Sequence, residues 1–374
     1  MDIAVLSGGN GAHAAAADLT EQGHRVRFWR RDAAATDALK AAGNRITLKD
    51  LRGQREVEIA VVTHDVGEAL RGTELIVCPA PAFAQADIAR AMAPHVADGQ
   101  VVLLTPGTFG SYLMAKTLRN AGSNARVAFA ETGTLPYLAR KHGPQEIAIT
   151  ARATRLPTGV FPLAEKERVL SVVRRAYPAV EDAGDALSGA LMNAGPIIHP
   201  PLILMNAGPL EHFERWDIHK EGTQPSIRRV TDALDAERVA VREALGYGPP
   251  HFPLADHYRE DGEEWMYGRR AHAPLVKSGD WREHIVLVEH RYMREDVAEG
   301  LAFLVSVANW VSDSAPSLED SASAPPTPIA AGLLALGSAV CGRDLSVTGR
   351  TLYNLRLADL GREEMAELLT EGLR

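Results

Sequence analysis

The feature that most constrains this chain is an alternation in its first half, where short β-rich runs are separated by Ala-rich stretches of helical texture. The runs are Ile3 to Leu6, Arg25 to Trp29, Leu75 to Val77, Val101 to Leu104 and Arg126 to Ala130. Strands that alternate with helices predict βαβ units and a parallel sheet. Ile46 to Leu48 and Val57 to Val62 read as a pair of extra strands and Gln145 to Ala151 as an outer one, so the sheet should exceed those first five. Past Phe161 the texture changes. Helical periodicity dominates from Glu165 to Tyr177, Asp185 to Ala194, Ile227 to Leu245 and from Asp296 onward, and Thr351 to Leu357 and Glu363 to Leu373 close the chain at helical spacing.

A length of 374 residues, at roughly 150 residues per domain, argues for two domains or one large domain with an appendage, and against a single small binding module. Hydrophobic residues make up 46% and charged residues 24%, an ordinary globular balance. Forty Lys plus Arg against forty-eight Asp plus Glu leave a formal charge of -8, so no global positive field draws the chain to nucleic acid or anionic lipid. Cys78 and Cys341 are too few for a disulfide framework and read as buried thiols in a reducing compartment, the cytoplasm. The N-terminus lacks a basic n-region and runs straight into structure. The longest apolar stretches, Leu301 to Val311 and Ile329 to Cys341, fall short of the ~18 residues that a membrane span needs. Ser312 to Pro326 is Ser-, Ala- and Pro-rich and reads as a mobile surface insertion or as a lid.

The strand Ile3 to Leu6 runs into Ser7-Gly8-Gly9-Asn10-Gly11-Ala12-His13, and an Ala-rich helix follows as far as Gly23. This is a variant of the dinucleotide-binding turn, whose small residues let the backbone approach a pyrophosphate at a helix N-terminus. Ser7 stands where the first glycine of G-x-G-x-x-A is usual, and Gly9 and Ala12 hold the second and third positions. A plain βα turn is the bland alternative. Gly8, Gly9, Asn10, Gly11 and Ala12 are therefore expected to hold a nicotinamide dinucleotide. The expected fold is an α/β Rossmann-type domain over 1–185 followed by an all-α helical domain over 186–374.

The second strand ends in Trp29-Arg30-Arg31-Asp32, where an NAD site would place Asp or Glu against the ribose hydroxyls. Two guanidinium groups suit a 2′-phosphate, so Arg30 and Arg31 favour NADP(H) over NAD(H). The alternative is solvated surface arginines, with Asp32 serving the ribose. The loops Cys78-Pro79-Ala80-Pro81-Ala82 and Thr105-Pro106-Gly107-Thr108 sit at strand ends on the same side. Pro79 and Ala80 are expected near the nicotinamide end, unless these are ordinary rigid turns.

The second half carries Asn193-Ala-Gly-Pro-Ile-Ile-His199-Pro200-Pro201, then Asn206, and later Glu289-His290-Arg291-Tyr292-Met293-Arg294-Glu295-Asp296-Val297. Together with Glu131-Thr-Gly-Thr-Leu-Pro136-Tyr137, the N-G-x-H-A turn and Gly349-Arg-Thr-Leu352, these segments make the chain resemble the octopine/nopaline (opine) dehydrogenase family along nearly its whole length. The resemblance implies a Rossmann domain paired with a helical domain. It also implies nicotinamide-dependent coupling of an amino acid or amine to an α-keto acid, through an imine, to give an N-(carboxyalkyl) amino acid. Carried over residue by residue, it makes His199 and Asp296 a catalytic pair and Arg291 a ligand for a substrate carboxylate. The family has an asparagine one helical turn before the histidine, where this chain has Gly195.

Elementary chemistry fits those roles. Reducing C=O or C=N needs a proton donor, and histidine titrates near neutral pH. A carboxylate on its other ring nitrogen fixes the tautomer and favours imidazolium. Arginine presents a planar fork to a carboxylate. The bland readings are a packed helix-start histidine and an N-capping Asp296. Asn193 and Asn206 are expected to orient substrate, or else to satisfy backbone. Amine recognition is expected from aromatics such as Trp216, Tyr258, Trp265 and Tyr267. His13 reads as a packing residue under the cofactor. His212, His219, His251 and His257 lack metal-ligand spacing, and no metal is expected. The expected partners are small molecules only, with neither nucleic acid nor membrane, and the oligomeric state, a homodimer included, stays open. Rival readings are a keto acid or imine reductase acting on a biosynthetic intermediate and a catalytically silent NADP-sensing protein.

Overall fold

The structure, a computed structural model, describes residues 1–257, 259, 261–268, 284–313 and 326–373. It divides into two compact units. One is Met1–Ala190 with the C-terminal segment from Leu368, and the other is Leu191–Glu367. The division falls after Ala190, a few residues past Asp185, and the end of the chain groups with the first unit.

The first unit holds β1 (Asp2–Leu6), β2 (Arg25–Trp29), β3 (Arg45–Asp50), β4 (Gly53–Glu58), β5 (Val61–Thr63), β6 (Leu75–Cys78), β7 (Val101–Leu104), β8 (Ala128–Thr132), β9 (Tyr137–Gly143), β10 (Glu146–Arg152), β11 (Leu156–Phe161) and β12 (Val180–Asp185). Eight of them form one sheet in the order β12-β11-β8-β7-β6-β1-β2-β5. From β5 through β8 every pair is parallel, and β11 then joins β8 antiparallel. Parallel strands covered on both faces read as continuous apolar runs, which is what LIVC in β6 and VVLL in β7 are, with every residue buried. The order β5-β2-β1-β6-β7-β8 is the doubly wound Rossmann arrangement. Its direction reverses between β1 and β6, and such sheets bind their ligands at the strand ends beside that point.

The extra strands go elsewhere. β4-β3-β10-β9 form a separate four-stranded sheet, and the expected run Val57 to Val62 is cut in two, with β4 in the small sheet and β5 at the edge of the large one. The small sheet is tied to the Asn10–Glu21 helix by charge. Arg152 donates to Asp18 (2.9 Å) and Asp50 (2.7 Å), and the Tyr137 hydroxyl donates to Asp18 (3.1 Å). That anchorage holds β9 over the turn where the helix begins.

The second unit contains helices and no strand among the described residues. Gly195–Met205 packs on a π-helical segment, Tyr292–Leu301, which continues as the Ala302–Asp313 helix. Contact is close because Gly300 faces Pro196, where a Cβ would overlap the ring. The Pro225–Ala244 helix lends Glu237, whose carboxylate accepts from the N–H groups of Ile329 (2.7 Å) and Ala330 (2.8 Å) and so caps the Pro328–Cys341 helix. Two expected helices differ. Asp185 to Ala194 resolves into the end of β12, a short helix Ala186–Ala190 and a turn, and Thr351 to Leu357 forms successive turns that include Arg356 at φ 61°. Of the Ser312 to Pro326 stretch, 314–325 lies outside the described residues.

Candidate active site

At the end of β1 the chain turns through Ser7 with φ 114°, a positive value that favours glycine and that Ser7 adopts in the place of the motif's first glycine. Gly9 then caps the Asn10–Glu21 helix with an ordinary φ of -79°. A Cβ on Gly9 would meet nothing within 4 Å, so the fold itself does not demand glycine there. Gly11 is different, since its Cβ would stand 3.2 Å from Pro79 Cβ. The Pro79-Ala80 loop, at the end of β6, thus packs against the first helical turn, and Ala12 and Ala80 are buried. Asn10 does not face outward to a ligand alone; its Oδ1 accepts from the Lys141 N–H (3.1 Å).

Arg30 is buried at 7% exposure. Its Nη1 donates to Ala35 O (2.8 Å), while its Nε lies 3.3 Å from where a Cβ on Gly8 would be and has no hydrogen-bond partner. Burial pushes the guanidinium's pKa down, and Asp32 opposes that. Arg31 is exposed, and Asp32 caps the Ala33–Ala41 helix by accepting from Ala35 N–H (3.0 Å). His13 is fully buried, its Nδ1–H donating to Gly9 O (2.9 Å); burial and Lys141 hold its pKa down at about 3, so it is neutral packing beneath the turn. These features fit a dinucleotide: a backbone open at Gly9, a helix N-terminus of twelve residues behind it, and an orphaned guanidinium nitrogen at the strand end.

The loop after β7 is organised by a residue whose role the sequence did not reveal. Glu131 on β8 is fully buried; its carboxylate accepts from Phe109 N–H (2.8 Å), Ser111 N–H (2.9 Å) and the Ser111 hydroxyl (2.6 Å). This caps the Gly110–Asn120 helix and holds Thr108 and Phe109 in left-handed conformations.

In the second unit the Gly195–Met205 helix carries His199, and the π-helical segment carries Asp296. His199 Nδ1–H donates to Asp296 Oδ2 at 2.7 Å across 97 residues of sequence. Asp296 therefore does not cap a helix; it sits inside one and faces the histidine. Burial pushes its carboxyl up to about 7, while Arg291 and His290 pull it down. The His199 ring stacks on Tyr292, with centroids 3.7 Å apart and planes 11° apart. The Tyr292 hydroxyl is in turn 3.2 Å from His219 Nε2, and the His219 ring meets His199 edge-on at 6.3 Å. Arg291 is exposed, its guanidinium 5.5 Å from the Tyr292 ring centroid. Neither Tyr292 nor His219 stood out in the sequence, because nothing in local spacing announces a stack made across two helices.

The remaining expected residues that the structure describes make the following contacts. Asn193 Oδ1 accepts from Gly195 N–H (3.0 Å), and Gly195 has no room for a side chain, since a Cβ would overlap Asp296 Oδ1. Asn206 Nδ2 donates to Leu202 O (2.8 Å) and Gly222 O (3.1 Å) and its Oδ1 accepts from Trp216 Nε1 (2.9 Å), the backbone-satisfying alternative of the two expected for it. Trp216 is committed to that bracket, Tyr267 packs on Met192, Phe252 and Met266, Trp265 is half-buried, and Tyr258 lies outside the described residues. Among the described residues no group of three or more His, Cys, Asp or Glu is placed to hold a metal ion, and no helix is long and apolar enough to cross a membrane.

A Rossmann unit with a dinucleotide turn and a helical unit in which a half-buried histidine is bonded to a buried aspartate define a nicotinamide-dependent oxidoreductase. The family model for the NAD/NADP octopine/nopaline dehydrogenase α-helical domain matches residues 182–321, and that for the NAD-dependent glycerol-3-phosphate dehydrogenase N-terminus matches 2–129. The opine dehydrogenase of Arthrobacter sp. (strain 1C) is 27% identical over 365 residues, covering 96% of this chain and 95% of that protein. Octopine dehydrogenase in complex with NADH and agmatine superposes with a TM-score of 0.70 at 19% identity, covering 100% of this chain and 99% of that one. NADP+-bound yersinopine dehydrogenase does so at 0.60 and 15%, covering 99% and 98%. Residues 182–321 are thus similar to the helical domain of octopine/nopaline dehydrogenases, and nearly the whole chain is similar to an opine dehydrogenase.

Proposed function

We propose that this protein is an NADPH-dependent opine dehydrogenase, which condenses an α-keto acid with an amino acid or amine and reduces the resulting imine to an N-(carboxyalkyl) amino acid. The observation that carries the reading is the His199–Asp296 hydrogen bond of 2.7 Å inside the helical unit that the family model matches. Condensation expels the keto oxygen as water, and reduction adds a hydride to carbon and a proton to nitrogen. The reduced nicotinamide, when bound, supplies the hydride. With Nδ1–H committed to Asp296, His199 acts through Nε2, delivering a proton as the carbonyl oxygen leaves. Asp296 stabilises the imidazolium, and the stacked Tyr292 ring fixes its plane. Arg291 pairs with the α-carboxylate of the keto acid through its planar fork.

Preference for NADP(H) rests on Arg30, the buried cation at the end of β2, with Arg31 exposed beside it. A cytoplasmic setting suits the two free thiols, Cys78 buried and pushed up to about 12 by that burial, and Cys341 half-buried. NADPH oxidation measured across a matrix of α-keto acids, with and without each amino acid, tests the reaction. Oxidation that needs both partners supports it. Oxidation driven by a keto acid alone overturns it in favour of a simple keto acid reductase.

A further inference from the structure

Two cations reach the glycine turn, and among the described residues neither forms an ion pair. Arg30 reaches it from β2, with the partnerless Nε against Gly8. A second cation comes from the other sheet. Lys141 lies on β9, its N–H held by Asn10 Oδ1, and its ammonium donates to Gly8 O at 3.5 Å. Two cations from different sheets thus converge on one glycine. Burial and Arg30 both push the Lys141 ammonium's pKa down, and both cations depress His13. Asp32 is the carboxylate that acts on Arg30, yet its Oδ1 is engaged with Ala35 N–H, and among the described residues neither Arg30 nor Lys141 forms an ion pair. Like charges brought together out of water cost free energy. An arrangement that carries such a cost at the mouth of a ligand turn is one that an anion relieves.

We propose that Lys141 and Arg30 together seat a phosphate monoester, the 2′-phosphate of bound NADP(H), which makes a residue of the small sheet a determinant of cofactor choice. The proposal rests on the nicotinamide-cofactor reading above and adds Lys141 to it. Two observations favour the monoester over the diphosphate bridge. The diphosphate is served by the main chain at the helix N-terminus beyond Gly9, whereas Arg30 stands at the end of the second strand, where the adenosine ribose lies in such folds. A monoester also carries about -1.5 to -2 charges at neutral pH, which two cations match.

Equilibrium binding of NADPH, NADH, 2′-AMP and 5′-AMP to the wild-type chain, Lys141→Met and Lys141→Arg tests this, together with the thermal midpoint of each protein without nucleotide. Lys141→Met is expected to weaken NADPH and 2′-AMP by about tenfold or more and to leave NADH and 5′-AMP within about twofold, with Lys141→Arg restoring most of the loss. Its nucleotide-free midpoint should be unchanged or higher, because a like-charge contact is removed. Equal weakening of NADPH and NADH, an unchanged NADPH affinity, or a lowered nucleotide-free midpoint each overturns the assignment. If the wild-type chain binds NADPH no better than NADH, the preference for NADP falls with it, whereas a preference that survives Lys141→Met removes Lys141 alone.

Discussion

The glycine turn of the Rossmann unit is built from main chain and small residues, whereas the His199 cluster of the helical unit is built from side chains that touch side chains. At the turn, the functional surface is what is missing: no Cβ on Gly9, none on Gly8. At the cluster, it is what is present: an imidazole bonded to a carboxylate and stacked on a phenol ring. The difference teaches which changes each region tolerates. The turn should be sensitive to added atoms and indifferent to polar deletions beneath it, and the cluster should fail when a polar group is removed or displaced.

The largest expected effect is the loss of the dyad. Removing a positioned general acid typically costs ~10²–10⁴ in rate, so His199→Ala should lose turnover on that scale and still bind NADPH. Asp296→Asn should also be strongly impaired. Because the two groups act as one unit, the double variant should be little worse than the worse single. Steady-state rates with a parallel cofactor titration check this, and fully additive losses would show two independent residues in place of one device.

Displacement comes next. Gly195→Ala puts a methyl group where Asp296 Oδ1 stands, so the carboxylate must leave its bond to His199 or the two helices must part. Misplacing a catalytic group by about 1 Å can cost ~10²-fold, and a loss of that order is expected in kcat with unchanged cofactor affinity and unchanged helical content by circular dichroism. Near wild-type kcat would mean that the cluster, like the turn, has slack.

The pH profile is a milder probe of the same pair. Burial raises the Asp296 carboxyl to about 7, and its hydrogen bond to His199 couples the titration of the two groups. Reduction consumes a proton and needs the donor protonated. The reductive rate should therefore hold below the pair's apparent pKa and fall about tenfold per pH unit above it. In Asp296→Asn the fall should move to lower pH, since the charge that favours imidazolium is gone. A profile that does not move would assign the titration to another group.

How much of this could be seen in advance follows the same division. The turn is local: strand, glycines and helix are consecutive in sequence, and β2 and β7 are readable with the bounds the structure gives them, β7 because a buried parallel strand is apolar throughout and β2 because Val26, Phe28 and Trp29 stand out between its arginines. β9, β11 and β12 are not, since YLARKHG, LPTGVF and VEDAGD carry charge, proline or glycine where a strand pattern expects apolar residues. Gly159 explains one such exception, as any Cβ there would overlap Asp185 O at the end of β12. His199 and Asp296 were joined only through family motifs, because no periodicity relates residues 97 positions apart. Lys141, Glu131 and His219 gain their roles from tertiary placement alone. Asn206 stays ambiguous in sequence because a buried amide near a histidine has the same one-letter appearance whether it faces a ligand or backbone.

The smallest effects sharpen the comparison at the turn, where Gly9 and Ser7 separate what ligand binding requires from what the fold requires. Gly9→Ala meets an ordinary φ and open space, so nucleotide-free stability should stay level or rise by about 0.4–1 kcal/mol, as replacing a glycine at a compatible site does. NADPH affinity should nevertheless fall about tenfold, because the methyl group occupies the backbone's line of approach to the diphosphate. An unchanged affinity would place the cofactor elsewhere. Ser7→Gly runs the other way. A non-glycine residue at φ 114° is held in a conformation that costs roughly 1–3 kcal/mol, and glycine returns about 0.5–1 kcal/mol of that through its greater freedom in the unfolded chain. A net gain of about 1 kcal/mol should raise the thermal midpoint by roughly 2–4 °C for a unit of this size, with NADPH affinity unaltered because the Ser7 N–H bond to Trp29 O (3.1 Å) is kept. A lower midpoint would mean that the Ser7 side chain, and not its backbone, is what the turn relies on, and the small-residue account of this region would then fail at its first position.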